Sequence, residues 1–152
     1  MRVAEIMTSA TVTDSTSATL KGAAELMWRN QTGSLVIVDG DAVVGIVTER
    51  DVLRTVAAGI DADVVSVADA MTRDVVSVSP DASVRDAARV MAQHWIRHLP
   101  VVQGDQLVGI VSQRDVTGIF AALWYETGLP EIDTDNLVRQ RRLARIEAGD
   151  LD

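Results

Sequence analysis

The sequence predicts an α/β fold. It has two tandem units of β-α-β-β-α order, packed with pseudo-twofold symmetry, and then a C-terminal helical tail. Three observations predict it. First, the chain matches itself at an offset of 64 residues: Val3–Gly59 aligns with Val67–Leu123 without a gap, and about 23 of the 57 pairs are identical. Second, the apolar spacing inside each unit switches between the helical and the extended period. Third, 47% of the residues are apolar but only 3% aromatic, so a real core must be built from Val, Ile, Leu, Ala and Met. The matching pieces define units at residues 1–60 and 67–124, a linker at 61–66 and a tail at 125–152. Neither unit is large enough to bury a sufficient core alone, so the two are expected to pack together.

Each unit opens with a short apolar segment, Val3–Met7 or Val67–Met71. A short strand is expected around Val12-Thr13 and again around Val76-Ser77. A helix follows from about Ala18 to Asn30 and from about Ala82 to His94, with Ser17 or Asp81 as the candidate cap. Leu20, Ala23, Ala24 and Met27 fall at helical spacing, as do Val84, Ala87, Ala88 and Met91, so each helix buries one stripe. Two strands come next, Leu35–Val38 with Val43–Val47 and Leu99–Val102 with Leu107–Val111. A Gly-Asp turn joins each pair. A second helix starts at Glu49 or Gln113.

Composition excludes several functions. The chain has no cysteine, which removes disulfides, thiolate zinc sites and cysteine nucleophiles. Its first residues are too polar for a signal peptide, and it has no apolar run of about 18 residues, so a cytoplasmic protein is expected. The net charge of −8 argues against broad nucleic-acid binding, which needs a basic surface.

The chemistry lies in the repeated strand end, "GIVTERDV" at 45–52 and "GIVSQRDV" at 109–116. Thr48 stands three residues before Asp51, and Ser112 three before Asp115. This spacing suits a capping box, with Asp in place of the usual Glu or Gln. It equally suits a ligand site. The first amides of a helix carry partial positive charge that favours a phosphate. A carboxylate one turn in accepts charge-assisted hydrogen bonds from a ribose diol. The motif by itself leaves both readings open.

Two tandem units with "MT", a short strand, a helix, a hairpin and "GIV[TS]xRDV" resemble a pair of cystathionine-β-synthase (CBS) domains over about Val3–Leu123. The resemblance implies a regulatory module with two inter-repeat clefts for AMP, ADP, ATP or S-adenosylmethionine, signalling to a partner protein and requiring no cofactor. It implies that Asp51 and Asp115 grip ribose hydroxyls, helped by Thr48 and Ser112. It also implies that each cleft is completed by the other repeat. Ser77, Arg97, His98 and Pro100 would then face the Asp51 cleft, and Thr13 and Ser34 the Asp115 cleft, with Arg114 a further candidate. The family favours a hydrophobic-Pro-Val step at the first hairpin strand. Repeat two has it in Leu99-Pro100-Val101, whereas repeat one has Leu35-Val36-Ile37, so the clefts are expected to differ. The cleft with Arg97 and His98 would be the more positive.

Two other classes of function fit the sequence less well. An enzyme would need a nucleophile with a base, paired carboxylates or a metal cluster. The two histidines, His94 and His98, lack an evident third ligand, and no phosphate loop or nucleophile elbow is present. A purely structural dimerisation module with empty clefts is the other alternative. The apolar second helices predict a homodimer. In the tail, Gly128-Leu129-Pro130 should break the preceding helix. A last helix, Leu137–Ala148, capped by Asp135 or Asn136 and rich in arginine, is expected as an amphipathic add-on or a docking segment for an acidic partner surface.

Overall fold

The 64-residue translation in the sequence reappears in the two hairpins, whose registers match rung for rung. The computed structural model describes residues 1–9, 11–127 and 143. Residues 1–118 form one unit and 119–152 another. The expected tail helix lies outside the described residues apart from Leu143.

After a single 3₁₀ turn at Val3–Glu5 come β1 (Thr13–Ser15), α1 (Leu20–Asn30), β2 (Ser34–Asp39), β3 (Ala42–Thr48) and α2 (Glu49–Ala57). The second half follows with α3 (Val67–Ala70), α4 (Val84–His94), β4 (His98–Gln103), β5 (Gln106–Ser112) and α5 (Gln113–Thr127). The five strands form one sheet in the order β1-β2-β3-β5-β4. Ala42 opposite Gln106 joins the two halves of it.

The first helix of each repeat starts two residues later than its sequence suggests. Thr19 and Ser83, not Ser17 and Asp81, are the caps. Both are extended, and their hydroxyls accept from the amides of Gly22 at 3.1 Å and Asp86 at 3.0 Å. Ser17 Oγ instead meets Ser15 Oγ at 3.0 Å, and Asp81 pairs with Arg2 at 3.3 Å. The helices end on Gln31 and Trp95, at φ of 52° and 54°. Each hairpin turns through two residues, Gly40-Asp41 and Gly104-Asp105, between paired Asp39 and Ala42 and paired Gln103 and Gln106. Gly40 and Gly104 sit at φ of 60° and 63°, which a side chain would disfavour.

The expected strand at Val76-Ser77 does not form. Thr13–Ser15 pairs in parallel with Val36–Val38, but the matching segment makes only one bridge, Val78 to Val101. Pro100 supplies the reason. The Val78 amide donates to Pro100 O at 3.0 Å, and the Val102 amide donates to Val78 O at 2.9 Å. The next rung would run from the amide of residue 100 to Val76 O, and proline has no N–H.

The packing holds an arrangement that the sequence units do not reveal. The opening segment of each repeat docks on the other repeat. The Val3 amide donates to Ala82 O and the Val67 amide to Ala18 O, both at 2.8 Å. Thr8 exchanges two backbone hydrogen bonds with Ile110, and Thr72 does the same with Ile46. One core therefore joins Leu20, Ala23, Met27, Leu35, Ile37 and Val47 to Val67, Ala70 and Met71. The other joins Val84, Ala87, Met91, Leu99, Val101, Val111 and Val116 to Val3, with Met7 packed against it. Leu20, Leu35, Val67, Leu99 and Val3 are wholly buried, each worth about 1.5–3 kcal/mol of transfer free energy.

The exchange also explains the glycine in the repeated "GIV". A Cβ on Gly45 would lie 2.3 Å from Met71 Sδ. A Cβ on Gly109 would lie 2.8 Å from Met7 Sδ and 2.9 Å from the carbonyl of Thr8. The methionine of each "MT" thus lies against the bare backbone of the opposite hairpin.

Candidate functional site

Each candidate site is assembled where a hairpin's second strand becomes a helix. Thr48 is extended and ends β3, and Ser112 ends β5. The first helical amides are taken by the hairpin's own start: Glu49 donates to Gly33 O at 3.1 Å, and Gln113 to Arg97 O at 2.8 Å. The carboxylates then fold back on the caps. Asp51 Oδ2 accepts from the Thr48 amide at 2.8 Å and from Thr48 Oγ1 at 2.9 Å. Asp115 Oδ2 accepts from the Ser112 amide at 2.7 Å and from Ser112 Oγ at 2.6 Å, while its own amide donates to Ser112 Oγ at 3.3 Å. The capping geometry is therefore real at both positions.

The two carboxylates differ on their other oxygen. Asp51 Oδ1 accepts from Arg54 Nη2 at 2.8 Å. The same guanidinium nitrogen donates to the carbonyl of Ala70, in the docked segment of the second repeat, at 3.3 Å. The position that matches Arg54 in the second repeat is Gly118, and nothing lies within 4 Å of a Cβ placed there. Asp51 is buried and Asp115 is half-buried. Neither Arg54 nor Glu49 recurs at its matching position, where Gly118 and Gln113 stand, so the repeated motif does not mark them. The mismatch of Arg54 with Gly118 was the signal available for it.

The other candidate residues fall into three groups. Ser34 and His98 occupy matching places, each directly across the hairpin from the cap of its own repeat: Ser34 opposite Thr48, His98 opposite Ser112. Ser34 is 2% exposed, and its Oγ has no hydrogen-bond partner. Arg97 reaches the first turn of the other repeat's helix and pairs with Glu49 at 3.5 Å. His98 lies in the same seam. Burial, and then the Arg97 charge, hold its pKa below the ordinary 6.5, opposed by Glu49 and Asp115. Thr13 stands exposed on β1 opposite Val36, and Ser77 is exposed beside the single bridge at Val78. Pro100 is wholly buried, and Arg114 is exposed in the first turn of α5. Among the described residues, no group of three or more His, Cys, Asp or Glu is placed to hold a metal ion. None of the described helices is long and apolar enough to cross a membrane.

The doubled unit, the reciprocal docking and the twin hydroxyl-carboxylate helix starts define a tandem-repeat protein of the CBS type. The CBS domain profile matches residues 3–58 and 67–122, and the chain belongs to that family. It is 39% identical over 115 residues to the CBS domain-containing protein YhcV of Bacillus subtilis, covering 75% of this chain and 81% of that one. It resembles the solved structure of a CBS-domain protein from Burkholderia ambifaria, with a TM-score of 0.77, 31% identity and coverage of 88% and 100% of the two chains. It also resembles the CBS domain pair of protein MJ0100, solved in complex with 5′-methylthioadenosine and S-adenosyl-L-methionine. That match has a TM-score of 0.76 and 26% identity, and covers 81% of this chain and 98% of the other.

Proposed function

We propose that this chain is a regulatory module with no chemistry of its own, which binds an adenosyl ligand in its inter-repeat clefts and signals to a partner protein. The observation that carries the reading is the pair of helix starts, each with a carboxylate held at its cap, inside a family in which one similar pair holds adenosyl ligands. Asp51 with Thr48, and Asp115 with Ser112, are the ribose contacts. Arg97 and His98 stand where a phosphate or another anionic group would reach the first turn of α2, a place now shared with Glu49. Pro100 and Ser77 flank a stretch in which no backbone hydrogen bond closes on Val76 among the described residues. That leaves a carbonyl for an exocyclic amine. In this reading Thr13, Ser34 and Arg114 serve the second cleft, and the Ser34 hydroxyl, which has no hydrogen-bond partner, is available as its donor. AMP, ADP, ATP and S-adenosylmethionine are all candidate ligands, in a cytoplasmic protein.

Titration calorimetry with AMP, ATP and S-adenosylmethionine tests this reading. Asp51→Ala and Asp115→Ala should each weaken one cleft by about 1.5–3 kcal/mol, or roughly ten- to a hundredfold. Unchanged affinity in both variants, together with lowered thermal stability, would leave the carboxylates as caps only. The homodimer belongs to the same proposal. Helix α2 exposes Leu53 and Val56, and α5 exposes Phe120 and Leu123, a pattern that favours an isologous contact. Light scattering that gives only a 16.3 kDa species at micromolar concentration excludes it.

A further inference from the structure

The two Asp side chains are not equally available. The Asp51 side chain is only 7% exposed, and all three of its hydrogen-bond donors are internal. Two of them belong to Thr48, whose amide is fixed by the strand end and whose hydroxyl bonds the same oxygen. The third is Arg54, whose side chain is 65% exposed and whose Nη2 also donates to Ala70 O at 3.3 Å. The cap donors fill both lone-pair sites of Oδ2, so a ribose diol that donates both hydroxyls to Asp51 needs both sites of Oδ1, one of which Arg54 holds. Asp115 makes the same bonds to its cap through Oδ2. Among the described residues no arginine meets its Oδ1, and its own repeat carries Gly118 at the position of Arg54.

We propose that Arg54 is a built-in competitor for the ribose diol, which makes the Asp51 cleft the weaker site and lets the Asp115 cleft fill first. The inference rests on the reading that the clefts take an adenosyl ligand. It adds the order of filling and the residue that sets it. Arg54 also donates to Ala70 O in the segment that docks across the repeats. Filling the Asp51 cleft therefore releases one tie between α2 and that segment, so the two clefts give different structural outputs.

The test uses adenosine, which has no phosphate for Arg54 to meet. Asp115→Ala isolates the first cleft and Asp51→Ala the second. Adding Arg54→Gln to Asp115→Ala should tighten adenosine about five- to tenfold. Adding Gly118→Arg to Asp51→Ala should weaken it by a similar factor. Both changes are at sites the fold tolerates, since Arg54 is exposed and Gly118 faces open space. Unchanged or weakened binding with Arg54→Gln overturns the proposal and leaves the adenosyl reading standing. So does a first cleft that is already the tighter one. If adenosine, AMP and S-adenosylmethionine all fail to saturate any variant, the adenosyl reading falls and takes this proposal with it.

Discussion

At matching positions the two repeats are identical in one set of residues and divergent in another. Ala23 and Ala87, Met27 and Met91, Leu35 and Leu99, and Val47 and Val111 are the same residue twice, and all are buried. Arg54 and Gly118, and Ser34 and His98, differ, and they lie in the second helix near its start or across the hairpin from its cap. Side chains that interdigitate in a core resist any change of volume. The seam imposes no such constraint, so its two halves are free to differ in charge, in backbone donors and in what covers the carboxylate.

The largest effect expected from breaking this symmetry comes from the two glycines. At Gly45 the three atoms nearest an added methyl all belong to the flexible side chain of Met71. At Gly109 it also meets the backbone carbonyl of Thr8, which is tied to Ile110 by two hydrogen bonds and cannot swing aside. Gly109→Ala should therefore cost about 3 kcal/mol and Gly45→Ala about 1 kcal/mol, within the usual range for overpacking. Thermal denaturation of the two variants side by side tests the ranking, and equal losses would contradict it.

A smaller effect follows from the prolines. Pro100→Val restores an N–H that Val76 O can accept, and should lengthen the single bridge at Val78 into a short strand like β1. The expected gain is about 0.5–1.5 kcal/mol. Val36→Pro should cost at least as much by removing an amide from the β1–β2 ladder. Amide exchange reads the result directly. If the new amide at residue 100 exchanges at an open-loop rate, proline is not what shortens the second strand.

The smallest effect is the pH dependence at His98. Burial, and then the Arg97 charge, lower its pKa in the folded chain below the unfolded value of about 6.5. The unfolded chain binds the proton more readily, so stability is fully present above that value and is lost as pH falls toward the folded pKa. His98→Gln should flatten the stability profile below about pH 6.5 and leave it unchanged above. Ser34, at the matching position, carries no titrating group and contributes no such slope.

Much of this was legible in the sequence, for identifiable reasons. The repeat, the hairpins with Gly40 and Gly104 at their turns, and the buried stripe of each first helix follow from local spacing and from the conformational freedom of glycine. The Thr48–Asp51 and Ser112–Asp115 caps lie three residues apart, so their geometry is local too. Ser17 and Thr19, like Asp81 and Ser83, all carry capping side chains, so local sequence does not choose the cap of each first helix. The choice between them falls where backbone bonds from the docked segment, such as Val67 to Ala18 and Leu20 to Val65, tie the chain down. Only the tertiary structure decided which core receives Val3–Met7 and which receives Val67–Met71. A translation of 64 residues aligns Val3 with Val67 whether each segment packs on its own repeat or on the other. The pattern along the chain is identical in the two cases. The difference lies in contacts between residues far apart in the chain, from Ile46 with Thr72 to Thr8 with Ile110, which no local spacing encodes.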